Sequence, residues 1–235
     1  MILAAGEGTR LRPLTLETPK ALLPIGGVPL IEHQLSWLKS HGISELAINL
    51  HHLGEKIRNF LGNGSRFGMR LVYSEEETLL GTAGGVKRME HFFNDTFVVV
   101  YGDVLTEFNL TKMLQFHQQK KALATLVIFK AANPQEVAVV MMDEEERILK
   151  LVEKPQLPDQ PSTPTLASGG IYILEQEVLS YIPSQGFSDF AYDIFPKLIS
   201  LELPLYGYLL EPEDYLIDIG TLDKYHKAQR GLEGG

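Results

Sequence analysis

Four short apolar runs recur through the first hundred residues, at 2–5, 46–50, 70–73 and 97–101, each separated from the next by enough chain to hold a helix. Runs of this length, rich in β-branched residues and apolar at consecutive positions, read as strands covered on both faces. Covered strands with helices between them describe a parallel α/β sheet, because parallel neighbours need a crossover far longer than a hairpin turn. The intervening stretches fit. After Pro29, Ile31, Leu35 and Leu38 fall on one helical face, and Ile57, Phe60 and Leu61 repeat the arrangement. Leu110, Met113 and Leu114 begin another helix, with Asn109 or Thr111 as its cap. Beyond it, strand-like runs lie closer together, at 124–129, 137–142, 148–152 and 171–174, so the second half is richer in strands. The segment 156–164, with three prolines, reads as a surface loop.

Composition narrows the function. The 235 residues are 44% hydrophobic and 22% charged, enough for a substantial core in a globular protein. No apolar stretch approaches the roughly 20 residues that cross a bilayer, and no basic-then-apolar leader opens the chain, so a cytoplasmic location without membrane contact is the expectation. With no cysteine there is no disulfide, thiol nucleophile or cysteine-bound zinc. A formal net charge of -9 argues against a nucleic-acid partner, since affinity for a phosphate backbone comes from clustered Lys and Arg.

The start, Met-Ile-Leu-Ala-Ala-Gly6-Glu-Gly8-Thr-Arg10-Leu-Arg12-Pro, nevertheless joins bare backbone to cations. A strand followed by glycines is also how a dinucleotide fingerprint begins, but that motif wants a third glycine where Leu11 stands and an acid where the second strand ends in Asn49-Leu50-His51-His52. The phosphate loop of ATPases needs Gly-Lys-Ser or Gly-Lys-Thr, and neither occurs. What remains is a glycine loop whose amides can approach a phosphate, with Arg10, Arg12 and Lys20 nearby, or else a surface turn with solvated charges.

The longer string decides between them. Leu3-Ala-Ala-Gly-Glu-Gly-Thr-Arg-Leu-Arg-Pro-Leu-Thr15, Thr18-Pro-Lys-Ala-Leu-Leu-Pro24 and Pro29-Leu-Ile31 resemble the signature of the sugar-1-phosphate nucleotidylyltransferases. The resemblance continues in order through Leu80-Gly-Thr-Ala-Gly-Gly85, Tyr101-Gly-Asp103, Val152-Glu-Lys-Pro155, Gly170-Ile-Tyr172 and Leu216-Ile-Asp-Ile-Gly-Thr221, across essentially the whole chain. It implies a Rossmann-like nucleotidyltransferase fold: α/β, with a mixed, mostly parallel central sheet flanked by helices and a smaller strand-rich sugar-binding lobe. It also implies one domain over 1–235, with a nucleotide-binding lobe at 1–104 and a sugar-phosphate-binding lobe at 105–235.

Such enzymes join a nucleoside triphosphate to a sugar 1-phosphate and release pyrophosphate. The attacking phosphate monoester has a second pKa of about 6, so it is already an anion at neutral pH and needs no general base. The task is to hold two polyanions together and to stabilise the departing pyrophosphate.

By resemblance, Arg10 grips the β- and γ-phosphates with a planar fork of donors, and Lys20 sets a point charge beside the transferring phosphate. Asp103, after the apolar 97–101 run, and Asp218, between Ile217 and Ile219, are the expected Mg²⁺ ligands. Asp218 also lies just ahead of Thr221, where it could instead support the start of the last helix. Leu3, Ala4, Ala5, Gly6, Gly8 and Thr9, with Gly81 and Thr82, are expected at the nucleotide. Glu153, Lys154, Gly170 and Asp189 are expected at the sugar phosphate.

Other residues invite plainer readings. Arg12 has Glu7 and Glu17 within reach as ion-pair partners, and His51-His52 cannot share a metal because adjacent strand residues face opposite sides. Trp37 reads as packing, the acidic run 143–146 as a hairpin turn, and 75–77 as a loop beside the nucleotide. Asp189 and Asp193 flank a helix start, where acids favour the dipole. The segments at 80–84 and 101–103 most resemble the mannose-1-phosphate guanylyltransferase branch, so GTP and mannose 1-phosphate are the expected pair. Uridylyl transfer to glucose 1-phosphate or N-acetylmuramic acid 1-phosphate is the alternative. Val137-Ala138 and Ser168-Gly169 depart from the family pattern on the sugar side. A noncatalytic sugar-nucleotide-binding subunit is the competing class, and a homo-oligomer stays open.

Overall fold

The computed structural model describes residues 1–156 and 165–233. In chain order, β1 (Ile2–Leu3) gives way to a loop with short 3-10 turns, and the ladder of β2 (Pro24–Ile25) and β3 (Val28–Pro29) leads into α1 (Leu30–Ser40). Next come β4 (Glu45–Leu50), α2 (Gly54–Leu61), β5 (Arg70–Glu75), α3 (Gly81–Arg88), β6 (Phe97–Tyr101) and β7 (Val104–Glu107). After α4 (Leu110–Lys120) follow β8 (Ala124–Ala131), β9 (Ala138–Met142), β10 (Ile148–Glu153) and β11 (Thr165–Leu174). The chain continues through α5 (Phe195–Ser200), β12 (Leu205–Leu209), β13 (Tyr215–Asp218) and α6 (Leu222–Glu233). Every strand and helix expected from the apolar pattern is present. β1 is shorter than the run at 2–5, and β11 begins at Thr165 rather than 171. The proline-bearing segment, apart from Gln156, lies outside the described residues.

The chain divides into two compact units, neither a single stretch: Met1–Leu79 with Val100–Asn109 and Glu213–Gly235, and Leu80–Val99 with Leu110–Pro212. In the first unit β1 is parallel to β4, with Ile2 opposite Ile48, and to the end of β6, with Ile2 opposite Val100; β4 is parallel to β5. Ile2, Ile48 and Val100 are fully buried, as strands covered on both faces require. α1 turns Leu30, Ile31, Leu35 and Leu38 inward, each at most 1% exposed and each contributing roughly 1.5–3 kcal/mol of transfer free energy. A small antiparallel sheet of β7 and β13 sets Asp218 directly opposite Val104. Leu11, Leu23, Ile25, Leu30, Leu105 and Ile219 pack into one cluster with Tyr225 and Ala228 of α6. The loop after β1 and the ends of β7 and β13 therefore share a core.

In the second unit β8 is antiparallel to β11 and parallel to β12, and β9 is antiparallel to both β10 and β11. Phe190, Phe195 and Tyr172 form its aromatic core, with ring centroids 4.9–5.5 Å apart. Parallel pairing in the first unit and largely antiparallel pairing in the second give the mixed α/β architecture expected. Among the described residues no helix is long and apolar enough to cross a membrane.

Candidate active site

The first unit gathers the predicted catalytic and metal-binding residues. Lys20 opens a short 3-10 turn immediately after Pro19, and its ammonium lies 2.7 Å from an Asp103 carboxylate oxygen. The two are 83 residues apart in sequence, and their side chains are 19% and 16% exposed. Burial pushes the Asp103 carboxyl up. The Lys20 charge and hydrogen bond, a backbone hydrogen bond and the Arg10 charge together outweigh burial and hold it below the ordinary carboxylate value.

Asp103 reaches this position through tight backbone geometry. The N–H of Gly102 donates to the Leu3 carbonyl at 2.8 Å, and a Cβ on Gly102 would stand 2.6 Å from that oxygen, so only glycine allows the approach. On the other side the Ile219 N–H donates to the Asp103 carbonyl at 2.8 Å, one step beyond the Val104–Asp218 pair that ends the β7–β13 ladder.

Asp218 is held at both oxygens. Oδ1 accepts from the Gly220 N–H at 3.1 Å, and Oδ2 meets the Lys224 ammonium at 2.7 Å. The expected alternative for Asp218 is thus partly realised: it does engage α6, but through the Lys224 side chain, while Thr221 makes the contact to the helix's own backbone by accepting from the Lys224 N–H. A Cβ on Gly220 would lie 2.9 Å from Asp218 Oδ1 and 3.0 Å from an Arg10 guanidinium nitrogen, so Arg10 extends over the same turn. Arg10 itself is exposed.

The glycine loop is less bare than its sequence suggests. Gly6 is exposed with open space where a Cβ would be, whereas Gly8 adopts φ +64° and a Cβ there would crowd Thr15 at 2.9 Å. The Gly8 carbonyl accepts from the Thr15 hydroxyl and the Leu11 N–H, and Thr9 begins the turn that carries Arg10. Ala4 and Ala5 are buried. The Ala4 N–H donates to Asn49 Oδ1 at 2.8 Å, and Asn49 Nδ2 donates to Glu76 Oε1 at 2.8 Å, a buried relay that sequence reading missed. Glu76, read as part of a loop beside the nucleotide, is only 4% exposed. Arg12 pairs with Glu7 at 3.6 Å on the surface, the first of its two expected partners. His51 and His52 bond different carbonyls, of Glu76 and Thr15, as their opposed directions require. Trp37 packs on Phe108 as expected.

The second unit holds the remaining predicted residues. Gly81 has φ +77°, and a Cβ on it would fall 2.3 Å from the Ser188 carbonyl, so the start of α3 is clasped to the segment 186–190. That carbonyl accepts from the Ala83 and Gly84 N–H groups, doing the work of a side-chain cap. The Thr82 hydroxyl donates to Asp189 Oδ2 at 2.8 Å and accepts from the Phe190 N–H at 2.9 Å. Asp189 Oδ1 caps the next helical turn through the Ala191 and Tyr192 N–H groups, and Asp193 reciprocates at the Asp189 N–H. Lys154 sits just before Pro155 with φ +42°, a conformation that costs energy for a side-chain-bearing residue, and its ammonium is 3.1 Å from Glu153. Gly170, at φ +72°, lies where the β11–β8 register shifts between Ser168 and Tyr172, the place where a bulge calls for glycine. The run 143–146 turns β9 into β10, with Asp143 accepting from the Glu145 and Arg147 N–H groups.

Asp103 and Asp218, the two carboxylates expected at a magnesium ion, both belong to the first unit. Among the described residues no group of three or more His, Asp or Glu side chains gathers as a complete metal cage. One or two carboxylates are what Mg²⁺ takes from a protein when substrate phosphates and water complete its coordination.

Comparison with known proteins identifies the architecture. The chain matches the family described as Nucleotidyl transferase over residues 1–234. It is 40% identical to a UTP–glucose-1-phosphate uridylyltransferase of Synechocystis over 99% of this chain and 62% of the relative. It is 32% identical to a mannose-1-phosphate guanylyltransferase of Mycobacterium tuberculosis, over 100% of this chain and 64% of that protein. It therefore spans somewhat under two thirds of the curated relatives' length. A Bacillus anthracis structure under the provisional name glucose-1-phosphate thymidylyltransferase superposes with a TM-score of 0.86 at 27% identity, covering 100% of this chain and 94% of the other. A match along almost the whole chain makes this protein a member of the nucleotidyl transferase family.

Proposed function

We propose that the protein transfers a nucleotidyl group from a nucleoside triphosphate to a sugar 1-phosphate, forming a nucleoside diphosphate sugar and pyrophosphate. The observation that carries this reading is the cluster of Arg10, Lys20, Asp103 and Asp218 in one unit of a nucleotidyl transferase. The sugar phosphate oxygen attacks the α-phosphorus, the bond to the pyrophosphate oxygen breaks, and no proton needs to be removed first. Arg10 binds the phosphate tail, and Lys20 neutralises charge at the transferring phosphate. Asp103 and Asp218 would hold Mg²⁺, whose charge stabilises the developing pyrophosphate. Leu3, Ala4, Ala5, Gly6, Gly8, Thr9, Gly81 and Thr82 serve the nucleotide, and Glu153, Lys154, Gly170 and Asp189 the sugar phosphate. The lobes at 1–104 and 105–235 go with this division of labour. The compact units cut the chain elsewhere, with 80–99 in the second and 213–235 in the first.

Two substrate pairs head the list. UTP with glucose 1-phosphate is favoured by the 40% identity to the Synechocystis uridylyltransferase. GTP with mannose 1-phosphate is favoured by the motif resemblance and by relatives at 30–34% identity. Pyrophosphate release measured over a panel of triphosphates and sugar phosphates tests the proposal. Turnover with one pair and dependence on Mg²⁺ are expected. Nucleotide binding without pyrophosphate from any pair would leave a noncatalytic binding subunit as the better description.

A further inference from the structure

Gln34, on α1, is 2% exposed. Its Nε2 donates to the Tyr101 carbonyl at 2.8 Å and to the Val104 carbonyl at 2.7 Å. Those carbonyls flank Gly102 and Asp103, so one side-chain amide ties both ends of the turn that carries Asp103. The orientation of the amide is fixed by its surroundings: two carbonyl oxygens can only be met by the NH₂ group. The other end, Oε1, is buried with no partner among the described residues.

A buried acceptor left unpaired is costly, and an apolar side chain of the same volume would fill this place without that cost. What the glutamine supplies in return is its pair of donors. Three residues on, Trp37 presents a second donor from the same helix face, and its Nε1 reaches the Phe108 carbonyl at 3.0 Å. α1 thus grips the β6–β7 segment at three carbonyls between 101 and 108. β7 passes the constraint to its partner strand, because Val104 stands opposite Asp218 and the Asp103 carbonyl accepts from Ile219. All these residues belong to the first unit.

We propose that Gln34 is a positioning residue that fixes the turn bearing Asp103, and through the β7–β13 ladder Asp218, in the geometry the transfer reaction needs. The inference rests on the function proposed above. Its test is Gln34→Met in the full chain, which keeps length and volume and removes both donors. Turnover is expected to fall about ten- to a hundredfold while the KM for the triphosphate stays within about threefold, the split expected when reacting groups are misplaced rather than lost. Amide hydrogen exchange at 102–105 should quicken by about tenfold or more while β4 exchanges as before. Wild-type turnover, unchanged exchange at 102–105, or acceleration shared equally by β1, β4 and β7 overturns the proposal; the last would make Gln34 a general packing residue. Should Gln34→Met fail to fold, Gln34→Leu carries the same comparison. If the unsubstituted protein forms pyrophosphate from no substrate pair, the proposed reaction falls, and the proposed role of Gln34 in that reaction falls with it; the exchange measurement still shows whether the glutamine holds the turn.

Discussion

Two clusters of predicted site residues, one in each unit, use similar side chains differently. In the first, charges meet charges: Lys20 holds Asp103 and Lys224 holds Asp218, each at 2.7 Å. In the second, Thr82 and Asp189 meet each other and the backbone, and the hydroxyl of Thr82 both donates and accepts within the protein. An ion pair can be re-formed with another ion, because a phosphate replaces a carboxylate beside lysine and a metal replaces lysine beside a carboxylate. A capping carboxylate cannot be withdrawn without leaving backbone N–H groups unpaired. On the function proposed above, the first kind of pair can be given up to substrate and the second cannot without loss of a cap.

Asp103 should be the most sensitive position in this comparison. Asp103→Ala removes the partner of Lys20 and one expected metal ligand, and turnover is expected to drop by at least about a hundredfold, roughly 3 kcal/mol of transition-state stabilisation. Asp103→Asn keeps an acceptor for the lysine, so its melting temperature should stay near wild type while turnover is lost almost as fully. Steady-state kinetics with calorimetry on both variants separates chemistry from folding. Full turnover in Asp103→Ala would put the two units on an equal footing and remove the metal from the mechanism.

Gly220→Ala is a smaller perturbation of the same cluster. The added methyl would come 2.9 Å from Asp218 Oδ1 and 3.0 Å from the Arg10 guanidinium, both movable ends of side chains. The fold should accommodate it, and the cost should appear in function: a fall of about tenfold in kcat/KM as Arg10 is pushed aside, about 1.4 kcal/mol. An unchanged kcat/KM would mean that Arg10 acts from a position this turn does not constrain.

How far the sequence revealed these features depended on how local they are. The parallel strands were legible because apolar runs such as 97–101, buried at Phe97, Val99 and Val100, interrupt helical periodicity. β7 and β13 were not, being four residues each and paired with one another across more than a hundred positions, with β13 only partly buried along its length. The residues to which the resemblance gives roles, Arg10, Lys20, Asp103 and Asp218, could be listed from motifs. Their supports could not: Gln34 acts at a distance of 70 residues, and Asn49 at 45 toward Ala4 and 27 toward Glu76. An amide or carboxylate that serves a remote backbone atom leaves no spacing to read. Gly81 and Gly170 were visible as glycines, but the obstacle that requires them, the Ser188 carbonyl in one case and a register shift in the other, belongs to another segment.

The smallest effect in the comparison concerns Asp189, expected from resemblance at the sugar phosphate and found capping the turn after it. Its two oxygens accept from Ala191, Tyr192 and Thr82. Asp189→Ala should therefore destabilise the protein by about 1–2 kcal/mol, the usual cost of a lost cap with an accompanying hydrogen bond. Asp189→Asn is the sharper probe, because asparagine keeps the Oδ1 cap nearly as well as aspartate and gives up only the charge and the acceptor for the Thr82 hydroxyl. If the carboxylate only builds the wall, Asp189→Asn should leave stability and the KM for the sugar phosphate within about threefold of wild type. A KM raised tenfold or more at unchanged melting temperature would show the charge acting on the sugar. Thr82 and Asp189 would then join Lys20 and Asp103 as groups whose internal partners are given up to substrate.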